Sequence, residues 1–229
     1  MKQLYLIINI SSIIVPFLFS FHPKILFYKK WKAFFVSVLF SLIVFVPWDI
    51  LFTHLGVWSF NSKYLLGIYF FNLPIEEVLF FLCIPYSCVF TYHFIIKSIK
   101  MDWMLKAEKT ISYVLVILLI VIAAVNYYKL YTSVTFMAFA SFILLLKFAF
   151  RVSWLHKFYF TYLILLIPFF IVNGILTGTG PDEPVVLYNN AQNLGIRVGT
   201  IPIEDVIYGM FLLMLNVSIF EYLSTKHKD

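Results

Sequence analysis

Two short acidic motifs contain the residues of this chain best suited to acid–base chemistry. The first is PIEE, Pro74 to Glu77, and the second is PIED, Pro202 to Asp205, at a separation of 128 residues. A glycine lies seven residues before each proline, at Gly67 and Gly195, and a long apolar segment follows each motif. This matched spacing indicates a duplicated unit that carries its acids at equivalent positions.

Adjacent carboxyl groups at membrane depth are suited to proton transfer. Desolvation raises the pKa of a buried carboxyl by as much as about 3 to 5 units, whereas a helix dipole lowers it by less than about one unit. One member of each pair, Glu76–Glu77 and Glu204–Asp205, is therefore expected to hold a proton near neutral pH. Proline and acids also favour the first turn of any helix, but the duplication favours a functional site over a helix start alone.

Further polar and aromatic residues accompany the two motifs. Residues 47–58 (PWDILFTHLGVW) align with residues 171–180 (IVNGILTGTG), which places Asp49 opposite Asn173. The aromatic residues that follow the acids at helical spacing are Phe80, Phe81, Tyr208 and Phe211. Aromatic ring faces stabilise cations by about 0.5 to 2 kcal/mol, which would suit a carbocation reaction. Because the chain contains 27 Phe and 15 Tyr, packing alone also accounts for these neighbours.

The composition predicts an all-α, polytopic membrane protein. Of the 229 residues, 62% are hydrophobic and 12% are charged, and the mean hydropathy is +0.95. A spanning helix needs roughly 20 apolar residues. Seven segments qualify, at about residues 4–21, 33–53, 75–96, 111–128, 131–149, 158–176 and 201–223, and the first is expected to be retained rather than cleaved.

The repeat predicts how these helices are grouped. Aligning the motifs pairs span three with seven, two with six and one with five, so that span four is a connector in a 3+1+3 arrangement of parallel repeats. The expected units are residues 1–100, 101–130 and 131–229. Thirteen of the 17 basic residues lie on the side opposite the acids, which predicts an extracytoplasmic N-terminus and a cytoplasmic C-terminus in the cell's inner membrane. This topology explains the net charge of +6, so no nucleic-acid partner is expected.

At these residues the sequence resembles the integral-membrane lycopene cyclases, namely the heterodimeric bacterial enzymes and the cyclase domain of fused fungal carotenoid enzymes. The resemblance covers nearly the whole chain. Its features are PxEE followed by aromatics (74–81), the Asp-x6-Gly-x-Trp pattern (49–58), and the segments 173–177 and 195–205. It implies a single-chain fusion of the two subunit types that cyclises the ends of a linear carotenoid such as lycopene to β-ionone rings, without net redox change.

The resemblance also implies roles for individual residues. Glu76 and Glu204 are expected to be the acid and the base, with Glu77 and Asp205 as their tuning partners. The remaining candidates are Asp49 and Asn173 as orienting groups, and Trp58, Phe80, Phe81, Tyr208 and Phe211 as the substrate-binding set. On this assignment, Glu76→Gln and Glu204→Gln should each abolish ring formation.

No metal is expected. No cofactor is expected either, since the chain has no G-x-G-x-x-G motif for a dinucleotide. The expected partners are the carotenoid, the lipid bilayer and other enzymes of carotenoid biosynthesis. The main alternative is a small transporter, because 3+1+3 parallel repeats are also found there. The location of the duplicated acids toward one face argues against it.

Overall fold

The computed structural model describes residues 2–226 and the side chains of residues 2–224, so that His227 and the basic Lys228 lie outside the described residues. This part of the chain contains seven α-helices. They are α1 (Leu4–Phe19), α2 (Trp31–His54), α3 (Ile75–Ser98), α4 (Leu105–Val125), α5 (Leu130–Leu144), α6 (Leu155–Leu176) and α7 (Ile203–Lys226).

The prediction of an all-α, multi-pass membrane protein is confirmed. Six of the helical segments in the described chain are long and apolar enough to cross a membrane. The exception is α1, which has 16 residues and a length of about 24 Å at 1.5 Å per residue, below the roughly 30 Å of hydrocarbon. The expected seventh span is therefore shorter than its hydropathy suggested.

Short strands join the helices at the end of the molecule that carries the acids. They are β1 (Trp58–Phe60), β2 (Tyr69–Phe70), β3 (Leu73–Pro74), β4 (Val186–Tyr188), β5 (Arg197–Val198) and β6 (Ile201–Pro202). The ribbons β2–β3 and β5–β6 are hairpins that lead directly into α3 and α7.

The two hairpins repeat each other with the 128-residue spacing seen in the sequence. Tyr69 pairs with Pro74 in the first, and Arg197 pairs with Pro202 in the second. The strands β1 and β4, which belong to opposite halves, pair with each other in antiparallel register around Ser59 and Leu187. This pairing joins the two halves beside the acids. The grouping of the helices as 3+1+3 and the boundaries of the units stay predictions.

Aromatic side chains fill the centre of the helix bundle. Phe45 on α2 is fully buried, and its ring centroid lies 5.3 Å from that of Phe211 on α7 and 6.1 Å from that of Phe81 on α3. Phe211 in turn stacks on Phe139 of α5 at 5.5 Å. These contacts pack α2 firmly against α7 and fix the rotation of both helices.

Basic side chains gather at the opposite end of the bundle from the acidic motifs. The Lys97 ammonium donates to the carbonyl of Ile25 at 2.8 Å, and the Lys30 ammonium contacts the carbonyl of Ser224 at 3.5 Å. These contacts bring together the α1–α2 connection and the C-terminal ends of α3 and α7. The acids and the basic cluster therefore lie at opposite ends of α3.

Candidate active site

The two hairpins hold the first acid of each motif in the same way. The backbone N–H of Leu66 donates to Glu76 Oε1 at 2.5 Å, and that of Leu194 donates to Glu204 Oε1 at 2.7 Å. The glycine that follows each leucine has a positive φ, 85° at Gly67 and 74° at Gly195, which turns the chain back toward the helix. Because L side chains avoid this conformation, the duplicated glycines are explained by backbone geometry.

The hydrogen bond between each hairpin and its first acid decides where the second acid of each motif points. Successive residues of an α-helix are rotated by about 100°. With Glu76 and Glu204 facing their hairpins, Glu77 and Asp205 face the interior between the helices. All four carboxyl groups are buried, and Oε2 of both Glu76 and Glu204 has no hydrogen-bond partner among the described residues.

Glu77 and Asp205 line the same cavity of about 280 Å³, which we call the slot. It runs along one face of α3 from Glu77 to Thr91, about 21 Å at 1.5 Å per residue. Its other walls come from α1, α6, α7 and the strands β1 and β4, with single residues from α2 and α5. Apart from those two acids, the polar and aromatic residues that line it are Tyr5, Ser12, Asp49, Trp58, Phe60, Phe80, Ser87, Thr91, Tyr131, Tyr162, Phe169, Asn173, Thr177, Tyr188 and Tyr208.

Glu77 belongs to a pair of neighbouring carboxyl groups, each of which accepts a hydrogen bond from a tyrosine. The Tyr5 hydroxyl donates to Glu77 Oε2 at 2.6 Å, and the Tyr208 hydroxyl donates to Asp49 Oδ1 at 2.8 Å. The carboxyls of Glu77 and Asp49 lie close enough to each other to interact. Because two like charges held together away from water repel each other, a proton on at least one of the two groups is favoured.

Asp205 has different surroundings, because both of its oxygens accept from tyrosines. The Tyr131 hydroxyl donates to Oδ1 at 2.7 Å, and the Tyr188 hydroxyl donates to Oδ2 at 2.9 Å. Burial opposes the ionised form of a carboxyl group, and two such donors offset part of that cost. Burial and the Asp205 carboxyl raise the pKa of the Tyr188 phenol, in the loop outside the spans, well above its ordinary value. Tyr188 therefore keeps its donor proton.

Aromatic rings lie between the two acidic centres. The ring centroid of Trp58 lies 5.1 Å from that of Tyr131 and 6.3 Å from that of Tyr208. Tyr131 carries a donor to Asp205, whereas Tyr208 carries the donor to Asp49. A substrate group in this part of the slot would have a carboxyl group at each side and aromatic ring faces nearby.

The slot separates the sequence-predicted residues into two groups. Those that line it are Asp49, Trp58, Glu77, Phe80, Asn173, Asp205 and Tyr208. The other four lie outside its lining: Glu76 and Glu204 bind the hairpins, while Phe81 and Phe211 pack in the aromatic core. The geometry thus favours Glu77 and Asp205 for contact with a substrate, the reverse of the order expected within each pair.

Sequence reasoning missed three of the tyrosines that donate to the acids, namely Tyr5, Tyr131 and Tyr188. Tyr5 and Tyr131 each follow a leucine at the start of a helix, α1 and α5, and these two helices were expected to be equivalent. A Leu-Tyr pair at both positions was therefore a usable signal. Tyr188 had none, because it reaches the site through the pairing of β4 with β1.

A comparison with protein families agrees with this geometry. The family model described as lycopene cyclase matches residues 2–95 and 128–223, well over half of the chain. The chain belongs to the lycopene cyclase family. The two matched segments contain the two acidic motifs, and the unmatched residues between them contain α4. Membership in the lycopene cyclase family makes the chain an enzyme that acts on a carotenoid in a membrane. No curated protein and no solved structure matched the chain.

Proposed function

We propose that this protein cyclises the ends of a linear carotenoid such as lycopene to β-ionone-type rings, as an intramolecular lyase or isomerase. The observation that carries the proposal is the convergence of Glu77 and Asp205, from the two motifs, on one buried slot lined by aromatic rings. An acid and a base on opposite sides of an apolar pocket are what a proton-initiated, proton-terminated cyclisation needs.

Glu77 is the proposed proton donor. In the loaded site both Glu77 and Asp49 carry a proton, and Glu77 transfers its own to the terminal carbon–carbon double bond, which leaves a tertiary cation. The Glu77 carboxylate that remains accepts a hydrogen bond from Tyr5 and lies beside the protonated Asp49, which can donate a second one. These donors stabilise the conjugate base, so Asp49 acts as a positioning residue.

Ring closure and proton loss complete the reaction. The π electrons of the internal double bond attack the tertiary cation, which forms the ring bond and moves the positive charge onto the ring. Asp205, ionised under its two tyrosine donors, removes a proton from the adjacent ring carbon, and the electrons of that C–H bond become the ring alkene. One proton is added and one is removed, so the product is an isomer of the substrate.

The aromatic wall is suited to the cationic intermediates. Trp58, Phe80 and Tyr208 line the slot between the acids, and ring faces attract cations by about 0.5 to 2 kcal/mol each. The lining of the slot is mostly apolar and, among the described residues, contains no basic side chain, which favours a polyene over a soluble substrate. The transporter considered from the sequence gains no support from this lining.

The length of the slot fits one end of a polyene. At about 280 Å³ it lies near the lower limit of small-molecule sites, which occupy about 300 to 1,000 Å³. It extends along α3 toward Thr91, flanked by Pro16 of α1 and Pro168 of α6. A linear carotenoid would place its end group at the acids, and the rest of its polyene would lie along the slot and in the lipid.

We infer a cytoplasmic-membrane location from the charge distribution. The basic cluster at the far ends of α3 and α7 would face the cytoplasm, because lysine and arginine accumulate in cytoplasmic loops. The acids would then lie toward the outer face, with the N-terminus outside and the C-terminus inside. Other enzymes of carotenoid biosynthesis are candidate partners on the lipid side of the slot.

The test is expression in a host that accumulates lycopene, with the pigments separated by chromatography and identified by their absorption spectra. We expect lycopene to be converted to ring-bearing products. Unchanged lycopene, with the protein shown to be folded in the membrane, would reject the proposed reaction. Uptake of a soluble substrate by vesicles that contain the protein would favour the transporter.

A further inference from the structure

We infer that the chain has one cyclising site, made jointly by its two repeats, so that it forms one ring per visit and releases a monocyclic carotenoid between the two ends. This inference rests on the proposed function. Two repeats with two acidic motifs could have formed two sites, one for each end of the substrate. The packing of the described residues favours one.

The first argument is that the acids converge. Glu77 and Asp205 are equivalent residues of the two motifs, yet both line the same slot. They also have complementary surroundings, a neighbouring carboxyl group at Glu77 and two tyrosine donors at Asp205. Glu77 provides the proposed proton donor and Asp205 the proposed proton acceptor. Together they form one complete acid–base pair.

The second argument is that the slot extends away from the acids between only one pair of helices. Between α3 and α6 there is room along Ile84, Cys88 and Leu165. The repeat makes the α7–α2 interface the equivalent of this gap, and there the helices pack directly: Phe45 contacts Phe211, and the Ser37 hydroxyl donates to Asn216 Oδ1 at 3.4 Å. The space that a second polyene would need is occupied by side chains.

One substitution between the repeats explains this difference. The 128-residue spacing places Gly209 opposite Phe81, and both follow their motifs on the same helical turn. A Cβ at Gly209 would lie 3.2 Å from Phe169 and 3.6 Å from the Tyr162 hydroxyl, and all three residues line the slot. In the first half the Phe81 ring fills the corresponding space and packs on Phe45, which the repeat alignment places opposite Phe169.

The consequence concerns the order of events. The two ends of a linear carotenoid cannot reach one set of acids together, and a slot about 21 Å long does not let the molecule reverse inside it. A product with two rings therefore requires that the monocyclic carotenoid leave, turn in the lipid and bind again by its other end. Gly209 is the residue that keeps the slot open for each visit.

The test is a pulse and chase with wild-type protein in liposomes. A short pulse of deuterated lycopene is followed by a large excess of unlabelled lycopene, and the labelled pigments are measured by mass spectrometry. We expect the label to remain in monocyclic product, because released molecules are outcompeted. An end product with one ring would equally support release. Labelled bicyclic product that is insensitive to the chase would overturn this inference alone, and a lack of any ring would overturn the proposed function as well.

A pair of variants gives a second measurement. Gly209→Phe should abolish formation of the first and the second ring together, because the added ring fills the single slot. The matched control is Val44→Phe, at the α2 position that the alignment places opposite Pro168, where ring formation should be unchanged. If Gly209→Phe is folded and still forms either ring at the wild-type rate, or if Val44→Phe stops one of the two rings, the single slot is wrong.

Discussion

The two acidic motifs share a backbone geometry and differ in their side-chain surroundings. In both, a leucine N–H holds the first acid and a glycine with positive φ turns the hairpin. Beyond the hairpin, Glu77 meets a second carboxyl at Asp49, whereas Asp205 meets two tyrosine hydroxyls. The alignment places Asn173, an amide that cannot supply a proton in this way, opposite Asp49.

This comparison indicates how a duplicated helix unit can provide two different chemical groups. The shared hairpins place two acids at equivalent positions with the same orientation. The second carboxyl beside Glu77 and the two tyrosine donors at Asp205 then give the two acids unlike electrostatic surroundings. An acid and a base are needed in the same turnover, and unlike surroundings let two buried carboxyls play both parts.

The largest expected effects come from removing either slot-facing carboxyl. Glu77→Gln cannot donate the proton, and Asp205→Asn cannot accept one. A positioned acid or base contributes about 10²- to 10⁴-fold, so each variant should form rings at least about 100-fold more slowly. The initial rate of lycopene loss in liposomes measures this. Wild-type rates in either folded variant would remove that residue from the mechanism.

A smaller effect is expected from the tyrosines that donate to Asp205. Tyr188→Phe or Tyr131→Phe removes one hydrogen bond to a charged group, worth about 1.5 to 3 kcal/mol, which corresponds to about a tenfold to hundredfold slower reaction. The rate should fall most at low pH, where the less stabilised carboxylate is protonated first. A uniform loss at all pH values would indicate a structural role instead.

Asp49→Asn tests whether the second carboxyl of the pair donates a proton itself. An amide can still donate a hydrogen bond to the Glu77 carboxylate, so the rate should stay within about tenfold of wild type. The alkaline limb of the pH profile should become less steep, because one proton fewer is needed. Complete loss of ring formation in folded Asp49→Asn would instead make Asp49 the acid.

The smallest catalytic effect is expected at the two acids that face the hairpins. Glu76→Gln and Glu204→Gln keep the oxygen that accepts from Leu66 or Leu194, but bury an amide group in place of the unpartnered Oε2. Stability should fall by about 1 to 3 kcal/mol while the folded protein stays within a few-fold of the wild-type rate. Thermal unfolding in detergent and the initial rate measure the two effects.

The glutamine variants at Glu76, Glu77 and Glu204 test two different expectations, one based on the sequence and one based on the structure. The sequence alone predicted that Glu76→Gln and Glu204→Gln would each abolish ring formation. If that occurs in a folded protein whose Glu77→Gln counterpart remains active, the order within the pairs is the one first expected. The hairpin contacts would then have a role in chemistry as well as in positioning.

The sequence by itself determined the membrane class, the duplication and the acids. Hydropathy and residue spacing are local properties, and they reported the long apolar helices and the 128-residue repeat of glycine, proline and acid. The resemblance to lycopene cyclases rested on the same motifs, and the family comparison confirmed it. Asp49 was also found from the sequence, because residues 47–58 align with residues 171–180.

Only the tertiary structure shows which acid of each pair lines the slot and that both repeats contribute to it. Adjacent residues differ by about 100° around a helix, so the choice between Glu76 and Glu77 depends on the rotation of α3. That rotation is fixed by the Leu66 hairpin and by packing among helices distant in sequence. The tyrosine donors and the space beside Gly209 depend on the same long-range contacts, which no local pattern records.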